Sequence, residues 1–97
     1  MSEESSFAPP PFKPADALVQ LKRSLRDLRP LAERGNGFEL QGKRVIELAH
    51  DDAAITVRFA KRHSATPEWD TQVLKNGPDV RKCVDEAKKR LARWTEE

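Results

Sequence analysis

The side chains that could do chemistry in this chain of 97 residues are few: one cysteine, Cys83, two histidines, His50 and His63, and a scatter of cations. Cys83 would need a neighbouring base and an electropositive setting to act as a nucleophile. It falls instead at helical spacing with Val80, Val84 and Ala87, where a thiol behaves as a small inert core group. Arg81 and Lys82 adjoin it in sequence but project from other helix faces. His50 precedes Asp51-Asp52, an order that permits a carboxylate–imidazole cluster; the simpler reading is the polar end of a strand entering a turn. One cysteine and two histidines show no C-x-x-C or H-x-x-x-H spacing, so no metal site is expected. Neither a glycine-rich phosphate loop nor a G-x-S-x-G elbow is present. Gly35-Asn36-Gly37 reads as a helix-to-strand turn without the lysine or following helix that a phosphate would need. No cofactor is called for, and the expectation is a non-enzymatic protein. An enzyme centred on His50 or Cys83 remains as a remainder.

The cations carry the next question. Lys22, Arg26 and Arg29 stand at i, i+4 and i+7, a stripe on the first helix with Arg23 alongside. Lys43, Arg44, Arg58, Lys61 and Arg62 can gather near a sheet. Together Lys22, Arg26, Arg29, Arg58, Lys61 and Arg62 are the candidate nucleic-acid contacts, weighed against an ordinary solvated charged face. The formal net charge of +2 is spread along the chain. Only residues 15–36 show a local excess, five basic against three acidic. Nucleic-acid binders concentrate such charge on one face. Among six aromatic residues, Trp69 is the candidate partner contact, because large aromatics are favoured at binding hot spots. Trp94 is expected to seal the end of the last helix over the core.

Those residues need elements to position them. Leu18, Leu21, Leu25 and Leu28 alternate by three and four, which predicts a helix from near Ala15, stopping or kinking at Arg29 before Pro30. Leu31 and Ala32 are expected to continue as a short turn. Phe38-Glu39-Leu40, Arg44–His50 and Ala54–Lys61 read as strands, with Gly42-Lys43 and Asp51-Asp52 as turns. Ile46, Leu48, Ile55, Val57 and Phe59 are the expected inward residues. Arg62–Thr66 is a polar loop. Residues 67–76 read two ways. As a strand, Trp69, Thr71 and Val73 alternate with Asp70, Gln72 and Leu74. As a helix, Thr66 caps, Pro67 stands at N1 and Asn76-Gly77 closes the end. The strand is preferred because it gives the sheet another member. From Pro78 a last helix follows, with Val80, Cys83, Val84, Ala87, Leu91 and Trp94 on one stripe, and with Asp85–Lys89 and Glu86–Arg90 at i, i+4.

The predicted fold is a small α+β domain of α-β-β-β-α order: an antiparallel meander packed by N- and C-terminal helices, over residues 15–97. Residues 1–14 are expected to be a disordered, proline-rich arm. Its Pro9–Pro14 stretch also fits a PxxP ligand for an SH3- or WW-like partner. No run is long and apolar enough for a transmembrane helix, the acidic start does not read as a signal peptide, and a lone cysteine fits a reducing cytoplasmic setting.

The element order is similar to that of double-stranded-RNA-binding domains, which read A-form shape through two helices and a loop. The likeness is one of order alone. Those domains carry a dense lysine motif at the start of the last helix, where this chain reads Gly77-Pro78-Asp79-Val80-Arg81-Lys82-Cys83-Val84. Two expectations result. The first is a protein-interaction module, including self-association as a homodimer. The alternative is a weak nucleic-acid-binding domain for duplex RNA or DNA.

Overall fold

The computed structural model describes residues 12–96. The first helix, α1 (Pro14–Arg26), opens with proline at its start and Asp16 in the first turn, both suited to a helix N-terminus. Leu21 and Leu25 are fully buried, and Leu18 and Leu28 pack against the same core. The expected arm therefore gives way earlier than Ala15: Pro14 is helical and Phe12 packs on the core. The rest of that arm, including the prolines before Phe12, lies outside the described residues.

α1 ends at Arg26 rather than Arg29. The backbone N–H of Leu28 donates to Leu25 (3.0 Å) and that of Leu31 to Leu28 (2.9 Å), tighter turns that replace the helical pattern. Arg29 precedes Pro30, whose ring disfavours the helical conformation there, so the helix winds down before reaching it. Arg29 consequently stands in a turn, and the proposed stripe with Lys22 and Arg26 is broken.

Five strands follow, each paired antiparallel with the next: β1 (Ala32–Arg34), β2 (Gly37–Leu40), β3 (Lys43–His50), β4 (Ile55–Ala60) and β5 (Trp69–Leu74). Ala32, read from sequence with Leu31 as a short turn, instead opens the short outer strand β1 (Ala32–Arg34). Of residues 67–76, Trp69–Leu74 form a strand and none is helical, so the meander has five members between two helices. Gln41 and Gly42 turn β2 into β3 with positive φ at both positions (54° and 84°), the geometry of the tight hairpin turns that match strand twist. The β3–β4 turn is held by Asp51, whose Oδ1 accepts from the backbone N–H of Ala53 (2.8 Å) and Ala54 (2.9 Å). These donors hold the exposed Asp51 carboxyl below its ordinary range, Ala53 first.

A register shift separates the pairs Phe38↔Ile46 and Glu39↔Arg44, leaving Val45 as an extra residue in β3. Such a bulge lets both Val45 and Ile46 enter the core, which strict alternation forbids. Both helices cover one face of the sheet. The last helix, α2 (Gly77–Glu96), begins at an Asn76 cap, whose Oδ1 accepts from the Asp79 backbone N–H (2.8 Å). Asp79 in turn accepts from the Lys75 N–H at 3.0 Å. α2 then runs back antiparallel to β5: Arg90 reaches Asp70, and the Trp94 indole N–H donates to the Ala60 carbonyl at 3.0 Å. Cys83, Ala87 and Trp94 are buried, with Val80, Val84 and Leu91 packed around them. No helix among the described residues is long and apolar enough to cross a membrane.

Candidate functional site

The face of the sheet away from the helices is set by alternation. Ile46↔Phe59 and Leu48↔Val57 point into the core, so Glu47↔Arg58 and Ala49↔Thr56 point out. In β5 the outward residues are Trp69, Thr71 and Val73, opposite Ala60, Arg58 and Thr56. Trp69 is half-buried. The Arg58 guanidinium lies 5.2 Å from its ring centroid, within cation–π range. From there a chain of charges crosses the open face. Arg58 pairs with Glu47 at 3.0 Å, and Glu47 with Arg44 at 3.2 Å. Arg44 also donates to Asn36 Oδ1 (2.8 Å) and to the Arg34 carbonyl (3.2 Å). Gly37 makes room for this: a Cβ there would stand 2.7 Å from an Arg44 nitrogen and overlap the Ile46 carbonyl.

β5 and β1 are the two edges of the sheet, and they differ. β1 has three residues, all exposed; Glu33 is bound to Arg26 at 2.7 Å and Arg34 faces Glu39 at 3.7 Å. Short length and charge are the usual protections of an edge. β5 has six residues, and its one charge, Asp70, is turned to the helix side. There Arg90 holds Asp70 at 2.9 Å and Glu86 at 2.6 Å, and Lys61 approaches Asp70 to 3.7 Å. The hydrogen bond from Arg90 is the first cause that lowers the Asp70 carboxyl below its usual range. Arg90 also lies over the Phe59 ring at 5.1 Å, with a side chain only 13% exposed.

The backbone of β5 divides in the same way. The Lys61 N–H donates to the Glu68 carbonyl at 2.8 Å, so Lys61 and Glu68 are a hydrogen-bonded pair. Such pairs alternate along an antiparallel ladder. Asp70, Gln72 and Leu74 therefore bond back to β4, while the N–H and C=O groups of Trp69, Thr71 and Val73 point to the free edge. Thr71 is exposed, and Val73 is 50% exposed, one of two large apolar residues so placed among the described residues.

The six cations expected to serve nucleic acid do not form one surface. Lys22 and Arg26 stand on α1, Arg26 tied to Glu33, and Arg29 follows in the turn. Arg58 is on the opposite face of the sheet, committed to Glu47 and Trp69. Lys61 approaches Asp70, and only Arg62 and Lys61 share a place, a shallow depression with His63, Ser64 and Arg93 beside the β4–β5 loop. His63 Nε2 is 2.7 Å from the Leu40 carbonyl. His50 is exposed at the end of β3 while Asp51 serves its turn. Burial, then the charge of Glu86, pushes the Cys83 thiol up to about 12, so it is not a thiolate at neutral pH.

Sequence reasoning reached Trp69 but missed Thr71 and Val73, whose role lies in backbone direction and edge position. Their signal was the uncharged alternation Trp-x-Thr-x-Val. No protein family, curated protein or solved structure matches the chain.

Proposed function

We propose that this protein is a non-enzymatic interaction module that binds another polypeptide along β5, with Trp69 as the anchor. The observation that carries this reading is the contrast between the two sheet edges. β5 presents unpaired backbone groups at Trp69, Thr71 and Val73 with no charge among them, whereas β1 is short and charged. An added strand would take its affinity from main-chain hydrogen bonds and its selectivity from the alternate side chains beside it. Trp69, backed by Arg58, supplies a rigid apolar surface for that strand. The buried, protonated Cys83 supports the absence of catalysis at that residue.

A photo-crosslinking amino acid at position 71 tests the proposal in cells. Protein adducts specific to position 71, and missing at the exposed position 89 of α2, are the expected result. Absence of protein adducts at 71 removes the reading. The alternative, a weak duplex RNA or DNA binder using Lys22, Arg26, Arg29, Arg58, Lys61 and Arg62, predicts nucleic-acid adducts and salt-sensitive binding. The separation of those cations over two faces, with Arg26 and Arg58 in ion pairs, weighs against it.

A further inference from the structure

We infer that the strand received by β5 is β5 of a second copy of this chain, paired antiparallel about a two-fold axis through Thr71. The inference rests on the interaction reading above and names its partner. A two-fold perpendicular to a sheet keeps outward residues outward, so a symmetric joint must pair positions of the same parity. Centring on Thr71 sets Thr71 opposite the partner's Thr71, and Trp69 opposite the partner's Val73. These are the three residues whose backbone groups face the free edge. In that register they become the hydrogen-bonded pairs, about six new N–H···O=C bonds across the joint. No backbone group needs to leave β4.

The side chains agree with the same register. On the outward face, half-exposed Val73 meets Trp69 of the partner subunit twice, an aromatic–β-branched pair of the kind favoured across strands. Trp69 is then enclosed between Arg58 on its own sheet and Val73 of the partner subunit. On the helix side Asp70 stands opposite the partner's Gln72, so no like charges meet, and Asp70 is already neutralised by Arg90. At each end of the joint, exposed Glu68 of one copy comes to the same end as exposed Lys75 of the other. Centring on Gln72 would use the same edge groups but set Trp69 opposite the partner's Lys75, whose N–H already donates to Asp79, and so lose the Trp69–Val73 pair. The joint is a single six-residue strand from each copy, so a concentration-dependent association is expected.

Sedimentation equilibrium of the full chain from micromolar to millimolar concentration tests it, and a monomer–dimer equilibrium is expected. Thr71→Pro removes one outward N–H per copy. Pro is tolerated on an edge whose N–H faces solvent, so the monomer should keep its fold by circular dichroism while dimerisation weakens roughly tenfold or more. Should that variant unfold, Val73→Lys places like charges against the joint and is read in the same way. Thr71→Cys should oxidise to a symmetric disulfide-linked dimer, whereas Ala49→Cys, exposed on the same face but away from the edge, should not. A strict monomer, a dimer indifferent to the edge variants, or equal crosslinking at 49 and 71 overturns the inference. Crosslinks from position 71 only to a different protein would also overturn it, while leaving the interaction reading intact.

Discussion

Arg90 stands where three neighbours meet: it bonds Asp70 and Glu86 and covers the Phe59 ring, while its stem is nearly buried. Replacing it by alanine removes packing as well as charge and leaves two carboxylates without their donor. Arg90→Ala should lower stability by about 2 kcal/mol, read as an earlier urea midpoint with unchanged slope. Asp70 makes the same contact visible in pH. Its folded value is depressed, so its contribution is present above the unfolded value, about pH 4, and is lost as pH falls through the folded one. Asp70→Asn should therefore show a shallower loss of stability between neutral and acidic pH than the natural chain. Superimposable profiles would mean that the Arg90 contact does not distinguish folded from unfolded. Cys83, buried with a raised thiol value, should react with a thiol reagent only as fast as the protein unfolds. Rapid labelling under native conditions would contradict its place in the core.

Among the elements, the two helices were legible because leucine spacing in α1 and the stripe from Val80 to Trp94 are strongly periodic. The strands around Ile46 and Ile55 were legible for the matching reason, clean alternation. What escaped the sequence has a physical basis in each case. β1 reads Ala-Glu-Arg, which carries no apolar alternation, since its strand character comes from pairing with β2. The bulge at Val45 is invisible to a strict period of two. Asn76 is an ending only in the helical alternative for residues 67–76, and in the structure it caps the next helix, since Asn serves both roles. Asn76→Ala should cost about 1 kcal/mol in thermal or urea melts, and a neutral result would show that the Asp79 contact suffices alone. Gly37→Ala should be harsher, about 2 to 4 kcal/mol, because its Cβ overlaps the Ile46 carbonyl and also crowds the Arg44 guanidinium. The candidate site was half legible. Trp69 is conspicuous by type, whereas the free backbone beside it depends on which strand ends the sheet.

For the whole molecule, the open face is a lattice of paired charges from Arg34 to Arg58, with an uncharged margin along β5. The two tryptophans report on the two sides of this arrangement. Trp94 is 1% exposed and bonded to Ala60, so collisional quenching of fluorescence should spare it and act on Trp69. Raising the protein concentration should then protect Trp69 selectively, and protection of neither residue would speak against pairing at this margin. The unlike edges also fix how far assembly can go. A sheet open on both sides can recruit copies without limit and grow into a fibre. Here β1 is a terminus: three residues, with Glu33 and Arg34 both charged. The chain thus has a valence of one along the sheet, and any strand joining β5 consumes it. Joining therefore ends in a closed object of fixed size, and deleting the charges of β1 is the change that would turn a self-limiting pair into a polymer.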